Sequence, residues 1–366
     1  MTIGLLVIYG ILILYYKVGW QEVKPFFLTT QQPVTKISVI IAARNEEENI
    51  GKLLTSLESQ TYPTKFFEVI VVDDHSTDNT ASVVQNFTFV KLIRMRLENI
   101  NSYKKKAIET GIAAATGDLI VTTDADCVVN ENWLKIIAAF KEETNAIFIA
   151  APVMMQNKLT LLQTFQSLDF LMLQGITAAA VQKRMHTMCN GANLAYDRKA
   201  FVEVNGFGGI DHIASGDDML LMQKFSQRFP GKILYLLAND AIVTTKAATS
   251  WKEFFSQRIR WASKATDYDD IKILGALFAV YFFNCSIVAL FIAGFWMHNF
   301  WWGFAGMLVL KTLIEFMFIY PVAKFYNKQK LLNLFPLFQP LHIVYTVIAG
   351  WLGVFGSFEW KGRRVK

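Results

Sequence analysis

The chain has 366 residues, a net charge of +6 and 53% apolar residues, with a mean hydropathy of +0.30. That length allows one large domain or two smaller ones, and that apolar content is too high for a soluble enzyme without membrane segments. The basic residues gather beside apolar runs, with no arginine-rich arm or zinc-finger spacing, which fits membrane lipids and not nucleic acid. Three scattered cysteines (Cys127, Cys189, Cys285) form no disulfide framework and suit a reducing cytoplasm.

Ile3 to Tyr16 is apolar and, with Val18 to Trp20, reaches about 18 residues, enough for a membrane anchor. A signal peptide would need a basic region before the run and a small-residue cleavage site after it, and neither is there. Lys17, Lys24 and Lys36 follow the anchor, so the positive-inside rule puts the next domain in the cytoplasm. Ile37 to Ala42 is a buried strand, and Ala43-Arg44-Asn45-Glu46-Glu47-Glu48 is expected to open a helix with acids in its first turn. Ile50, Leu53, Leu54 and Leu57 mark that helix's inner face. Phe67 to Val72 is the next strand and stops at Asp73-Asp74, after which Ser76 or Asp78 would cap a helix.

Val90 to Ile93 is a short strand, and Lys104-Lys105-Lys106 leads into a helix. Leu119 to Thr122 is another buried strand, ending at Asp124-Ala125-Asp126. Ligands bind beyond the carboxyl ends of strands in open α/β sheets. Two carboxylates there are costly to hold together without a cation, and an all-oxygen pair suits Mg²⁺ or Mn²⁺. A solvated turn is the bland alternative. Strand and helix alternate with short links, so the chain reads as a mostly parallel α/β sheet with flanking helices.

Trp133 to Phe140 is a helix and Ile147 to Val153 one further strand. Leu159 to Val181 is a long helix whose Gln163, Gln166, Asp169 and Gln174 argue for an interfacial or buried position. Cys189 to Asn193 is rich in turn residues. Gly216-Asp217-Asp218 puts two acids at a helix start, where they could simply complement its dipole. Late strands follow at Lys232 to Ala238 and Ala241 to Thr244. Trp251 to Trp261 is amphipathic and ends Gln257-Arg258-Ile259-Arg260-Trp261. Its arginines and tryptophan could also be ordinary membrane-interface residues.

Ile273–Phe295 and Phe300–Val322 are long enough to span a bilayer, and Leu337–Phe355, which contains Pro340, Gly350 and Gly353, is a third membrane segment that either spans or is re-entrant or interfacial. The charge rule then pulls two ways. Lys324, Lys328 and Lys330 prefer the inside after two spans, yet a third span would carry the basic tail Lys361 to Lys366 outside. The organisation is therefore an anchor over 1–20, a cytoplasmic domain over 36–265, membrane helices over 273–357 and a basic tail over 358–366.

The ARNEE opening, VVDDHSTDNT, DAD, GDD and QRIRW, in that order, resemble the membrane-bound family-two glycosyltransferases, a group that includes polysaccharide synthases and ceramide glucosyltransferases. The resemblance covers about 36–265 together with the flanking membrane helices. It implies a GT-A fold, transmembrane helices at both ends and inverting sugar transfer from a nucleotide sugar, with Mg²⁺ or Mn²⁺.

Carried over residue by residue, Ala43, Arg44 and Glu46 line the nucleotide base, and Asp74 or Asp73 contacts uracil or ribose. Lys104 matches a lysine found in a Gly-Lys-Ala context, although Tyr103 and Lys105 replace its neighbours here, so the assignment among three lysines stays open. Asp124 and Asp126 match the DxD, with Asp126 the direct metal ligand. Asp218 matches the general base, supported by Asp217, with Asp211 the next candidate. Gln257, Arg258, Arg260 and Trp261 match the QxxRW residues of the diphosphate and acceptor site. On this resemblance the donor is a nucleotide sugar, UDP-linked, and the acceptor a lipid or glycan. Three or four membrane segments favour a lipid over an extruded polymer. A nucleotidyltransferase would explain DAD but not QRIRW, and a sugar-nucleotide sensor would not need the acid at 218.

Overall fold

The structure is a computed structural model and describes residues 2–29, 32–96, 102–156, 160–185, 188–213, 215–264, 271–355, 358–360 and 363–365. Lys361 and Lys366 of the basic tail lie outside the described residues. The chain forms two units, one of Val23–Met155 and Ala180–Lys246, the other of Met1–Glu22, Gln156–Ala179 and Ala247–Lys366. The helices are α1 (Thr2–Glu22), α2 (Ile50–Glu58), α3 (Thr80–Gln85), α4 (Tyr103–Ala113), α5 (Trp133–Thr144), α6 (Leu161–Gln182), α7 (Arg198–Glu203), α8 (Met219–Arg228), α9 (Trp251–Ala262), α10 (Ile271–Ala293), α11 (Asn299–Phe325) and α12 (Phe335–Phe355). The strands are β1 (Ile37–Ala43), β2 (Phe67–Asp73), β3 (Val90–Arg94), β4 (Leu119–Thr122), β5 (Phe148–Ala150), β6 (Val153–Met155), β7 (Leu194–Asp197), β8 (Ile233–Tyr235), β9 (Val243–Thr245), β10 (Phe358–Trp360) and β11 (Arg363–Val365).

The first unit is built on a seven-stranded sheet in the order β3-β2-β1-β4-β7-β5-β8. Strands β3, β2, β1 and β4 are parallel, β5 and β8 are parallel, and β7 runs antiparallel to both its neighbours. The mostly parallel sheet expected from the sequence is what forms. Its central strands are mostly apolar because both faces are covered, and Val39, Ile41, Ile70, Val71, Ile120 and Val121 are fully buried. Since β1, β2 and β4 run the same way, the loops after Ala43, Asp73 and Thr122 open at one sheet edge. Leu194 of β7 pairs with Thr122, so the turn before β7 reaches that same edge.

Three local expectations are corrected. The acids of ARNEEE precede α2, whose first residue is Ile50. Asn45 takes a left-handed φ of 52°, and the amides of Glu46 and Glu47 are held by Thr80 Oγ1 (2.7 Å) and Asp78 Oδ2 (3.1 Å), which fixes a turn where a helix was read. Asn79 holds the N-cap position of α3 without a side-chain bond, while Asp78 accepts from the Thr80 amide at 3.0 Å. The single strand read over Ile147–Val153 is two. Strand β5 belongs to the large sheet, and β6 pairs with β9 in a second one. Pro152 separates them because it has no N–H to give, and its carbonyl accepts from Asn193 Nδ2 at 2.8 Å.

In the second unit, α1, α10, α11 and the stretch Gln329–Phe355 that ends in α12 are each long and apolar enough to cross a membrane. Helix α12 runs unbroken through Pro340. A chain of polar side chains is buried among these apolar helices. Tyr9 donates to Glu315, Lys311 Nζ donates to Glu315 (2.5 Å) and Gln339 (2.9 Å), and Gln339 Nε2 donates to Glu315 (2.5 Å). Each charge there is matched, which makes burial tolerable. Helix α6 packs closely on α11, where a Cβ at Gly175 would stand 2.6 Å from Val322. The polar residues of α6 face inward as the sequence anticipates, with Gln166 bonding both the amide and the carbonyl of Ala248 at 3.0 Å.

Candidate active site

The loops after β1 and β2 are zipped together at the sheet edge. Arg44 Nη1 donates to the carbonyls of Asp74 (2.9 Å) and His75 (3.2 Å), and the Thr77 amide donates to Asn45 Oδ1 at 2.8 Å. Asp73 and Asp74 are buried, Asp73 accepting from the Ser76 amide (3.2 Å) and Asp74 lying 2.9 Å from His75 Nδ1. Ala43 is also buried, its carbonyl accepting from the Asp74 amide at 2.8 Å. Glu46 turns back to accept from Asn49 Nδ2 at 2.6 Å. Two adjacent acids can be kept at this edge because a backbone amide serves Asp73 and the His75 ring stands against Asp74.

Lys104, in the first turn of α4, joins the two acidic motifs. Its Nζ lies 2.8 Å from Asp124 Oδ1 and 2.9 Å from Asp217 Oδ2. Burial alone would push this ammonium down, but Asp124 and Asp217 outweigh it and hold its pKa well above the ordinary lysine value. The structure separates the three lysines left open by the sequence. Lys105 is buried against the carbonyls of Ile210 and Ile213, and Lys106 pairs with Glu109.

Asp218 is the N-cap of α8. Its Oδ1 accepts from the Met219 amide (2.7 Å) and its Oδ2 from the Gly191 amide (3.3 Å). The dipole-complementing role read from the sequence is therefore real, alongside whatever chemistry the residue carries. Gly191 is a position the sequence reasoning passed over. A Cβ there would stand 3.1 Å from Asp217 Oδ2 and 3.3 Å from Lys104 Nζ, so glycine leaves the room these groups use. The only signal was the Asn190-Gly191 turn pair. Thr245 was missed as well, its hydroxyl lying 3.3 Å from Asp126 Oδ2.

Among the described residues no three His, Cys, Asp or Glu side chains form a metal cluster. The donor set still fits a hard divalent ion, because Mg²⁺-type sites use one or two carboxylates and take their remaining ligands from water and phosphate. Asp126 and Asp124 would be those carboxylates, with the Thr245 hydroxyl beside Asp126. Cys127 beside them is fully buried, and that burial, with Asp126 and Asp124 next to it, raises its thiol pKa well above the ordinary value.

QRIRW lies on α9, in the other unit. Ser250 caps the helix by accepting from the Glu253 amide at 3.2 Å. Arg258 points inward and is 4% exposed. Its Nη2 lies 2.6 Å from Asp169 Oδ2 on α6, its Nη1 donates to Gln257 Oε1 at 3.0 Å, and its guanidinium stacks over Trp261 at 4.2 Å. Asp169 also accepts from Tyr345 of α12 and lies 3.7 Å from His342. Gln257, Arg260 and Trp261 are only partly buried.

A mostly parallel sheet with an acid-lined carboxyl edge, with four helices of membrane-spanning length among the described residues, defines a GT-A-like α/β protein. Residues 38–204 match the family model described as Glycosyl transferase family 2, and the chain carries a domain of that family. It is 26% identical to the probable glycosyltransferase YdaM of Bacillus subtilis over 69% of this chain and 60% of that protein. It is 25% identical to the poly-beta-1,6-N-acetyl-D-glucosamine synthase of Staphylococcus epidermidis over 63% of this chain and 55% of that one. The chain thus spans less than two thirds of the length of these relatives. Among solved structures it resembles the mannosyltransferase PcManGT from Pyrobaculum calidifontis, determined in complex with GDP-Man and Mn²⁺, with a TM-score of 0.57 and 18% identity over 93% of this chain and 99% of that one. That likeness speaks to the fold.

Proposed function

We propose that this protein is a membrane-bound glycosyltransferase that moves a sugar, with inversion, from a nucleotide sugar, UDP-linked, to a lipid, lipid-linked or polysaccharide acceptor. The observation that carries the reading is the Lys104 bridge, which brings the DAD and GDD acids to one sheet edge at hydrogen-bond distance from one ammonium. The loop of Ala43, Arg44 and Glu46, with Asp73 and Asp74, is assigned to the nucleoside. Asp126, with Asp124, would hold Mg²⁺ or Mn²⁺. When bound, that ion supplies positive charge to the diphosphate leaving group. Lys104 adds a fixed charge at the same place and needs no reorganisation to do so.

Asp218 is assigned as general base, with Asp217 supporting it. Two amides hold the Asp218 carboxylate in one orientation, which suits it to take the acceptor hydroxyl proton as the new bond forms. Attack on the side opposite the leaving group gives inversion. From the resemblance, Gln257, Arg258, Arg260 and Trp261 are assigned to the diphosphate and acceptor; Arg258, already committed to Asp169, would act by holding the helix. The lysines after α1 support a cytoplasmic domain on the inner membrane.

The test is incubation of the detergent-purified protein, with Mn²⁺ and membrane lipid extract, against a panel of nucleotide sugars. Nucleoside diphosphate release and the mass of the product are the readouts. One donor should be consumed with a matching mass gain on an acceptor, and Asp218→Asn should lower transfer by about 10²–10⁴-fold while keeping donor binding. Donor binding without turnover of any sugar would make the protein a sensor.

A further inference from the structure

Asp217 and Asp218 follow a loop, 205–213, that is held in an unusual way. Lys105 is 2% exposed, and its Nζ donates to the carbonyls of Ile210 (2.5 Å) and Ile213 (2.8 Å). Lys224, on the helix that Asp218 caps, donates to the carbonyls of Gly206 and Gly208, both at 2.6 Å, and lies 3.4 Å from that of Asn205. The chain can turn its carbonyls toward the two ammonium groups because Asn205, Gly206 and Gly209 have left-handed φ values of 58°, 44° and 85°. Bonds from an ammonium are roughly twice as strong as neutral ones. A loop short of regular secondary structure is thereby fixed by two charges.

Lys105 is next to Lys104, which binds Asp217. The first turn of one helix therefore grips both the loop and the acid beyond it. We infer that Lys105 and Lys224 are positioning residues, which clamp loop 205–213 by its backbone and so set where Asp217 and Asp218 stand for proton transfer from the acceptor. This rests on the base assignment made above. Neither lysine needs to touch donor or acceptor. Burial lowers the pKa of Lys224, only partly offset by Asp211 and Glu109, so its charge is kept at a cost that the carbonyl bonds must meet.

The test uses the full chain in detergent with Lys105→Met and Lys224→Met, and with Lys105→Ala as a second variant at the more buried site. Three quantities are read: UDP affinity with Mn²⁺, the kinetics of transfer, and hydrogen exchange by peptide. The expected result is UDP affinity within about twofold of the parent, kcat lower by about 10- to 100-fold as for a misplaced reacting group, and faster exchange confined to peptides covering 205–218. Unchanged kcat and exchange in these variants would overturn the inference. So would faster exchange throughout the sheet, or UDP affinity falling in step with kcat, since either marks a general loss of structure. If the parent protein turns over no nucleotide sugar, the functional proposal fails, and the exchange measurement still decides whether the lysines clamp the loop.

Discussion

Replacing Lys104 by Met keeps the aliphatic stem and removes the charge between Asp124 and Asp217. A hydrogen bond to a charged group contributes about 1.5–3 kcal/mol, and the two distances, 2.8 and 2.9 Å, are both short. Asp124 is 36% exposed and Asp217 12%. Water and salt therefore screen the Asp124 arm to about 0–1 kcal/mol, while the Asp217 arm keeps most of its value. The net loss is about 2–3 kcal/mol, which for a domain of about 200 residues lowers Tm by about 5–10 °C. The assay is thermal unfolding in detergent with a chelator present, repeated with Mn²⁺. Mn²⁺ on Asp126 and Asp124 would replace the charge beside Asp124 only, so it should return no more than that arm's share, about 0–1 kcal/mol, in the variant. A Tm within about 1 °C of the parent in chelator would refute the bridge.

Other outcomes follow from the same geometry. Gly191→Ala should cost about 1 kcal/mol in thermal unfolding, through crowding of Asp217 and Lys104, and Gly191→Leu should lose nucleotide binding; a Leu variant that binds UDP normally would contradict the close approach. Asp169→Asn strands the buried Arg258 and should cost about 3–5 kcal/mol, whereas Asp169→Asn with Arg258→Gln should recover to within about 1 kcal/mol; equal losses in the single and double variants would show that the pair is not coupled. Glu68 is partly desolvated, which raises its pKa, but Ser38 Oγ (2.6 Å) and the Thr116 amide (2.6 Å) and hydroxyl (2.7 Å) outweigh this and hold it below the ordinary value. Its stabilisation, about 1–2 kcal/mol against Glu68→Gln, is full above the ordinary glutamate pKa of about 4.3 and disappears as pH falls through the lower folded value. A difference between the two proteins that does not shrink on acidification would count against it.

The strands that make the acid-lined edge were legible because a buried parallel strand is mostly apolar with no polar alternation, and three such strands end at Ala43, Asp73 and Thr122. The start of α2 was not, because the preceding turn is fixed by Asp78, in the loop after β2, and Thr80, the first residue of α3. Pro152 could have shown that β5 and β6 are separate strands. Choosing Lys104 over its two neighbours required knowing which side of α4 faces Asp124 and Asp217, and no local pattern carries that. Asp169 announced itself as a polar residue in an apolar helix and Arg258 as part of QRIRW, but their pairing is a tertiary fact. The importance of Gly191 lies in the side chains around it, which a turn signal does not reveal.

The measurement that tests the central claim most directly is UDP affinity by calorimetry, with and without Mn²⁺, for the parent protein and Asp126→Asn. On the proposed function, the DAD acids hold the ion that binds the diphosphate. The parent should bind UDP more tightly by about tenfold or more when Mn²⁺ is added, and Asp126→Asn, still folded by its unfolding curve, should lose that gain. An unchanged Mn²⁺ dependence in Asp126→Asn would contradict the account.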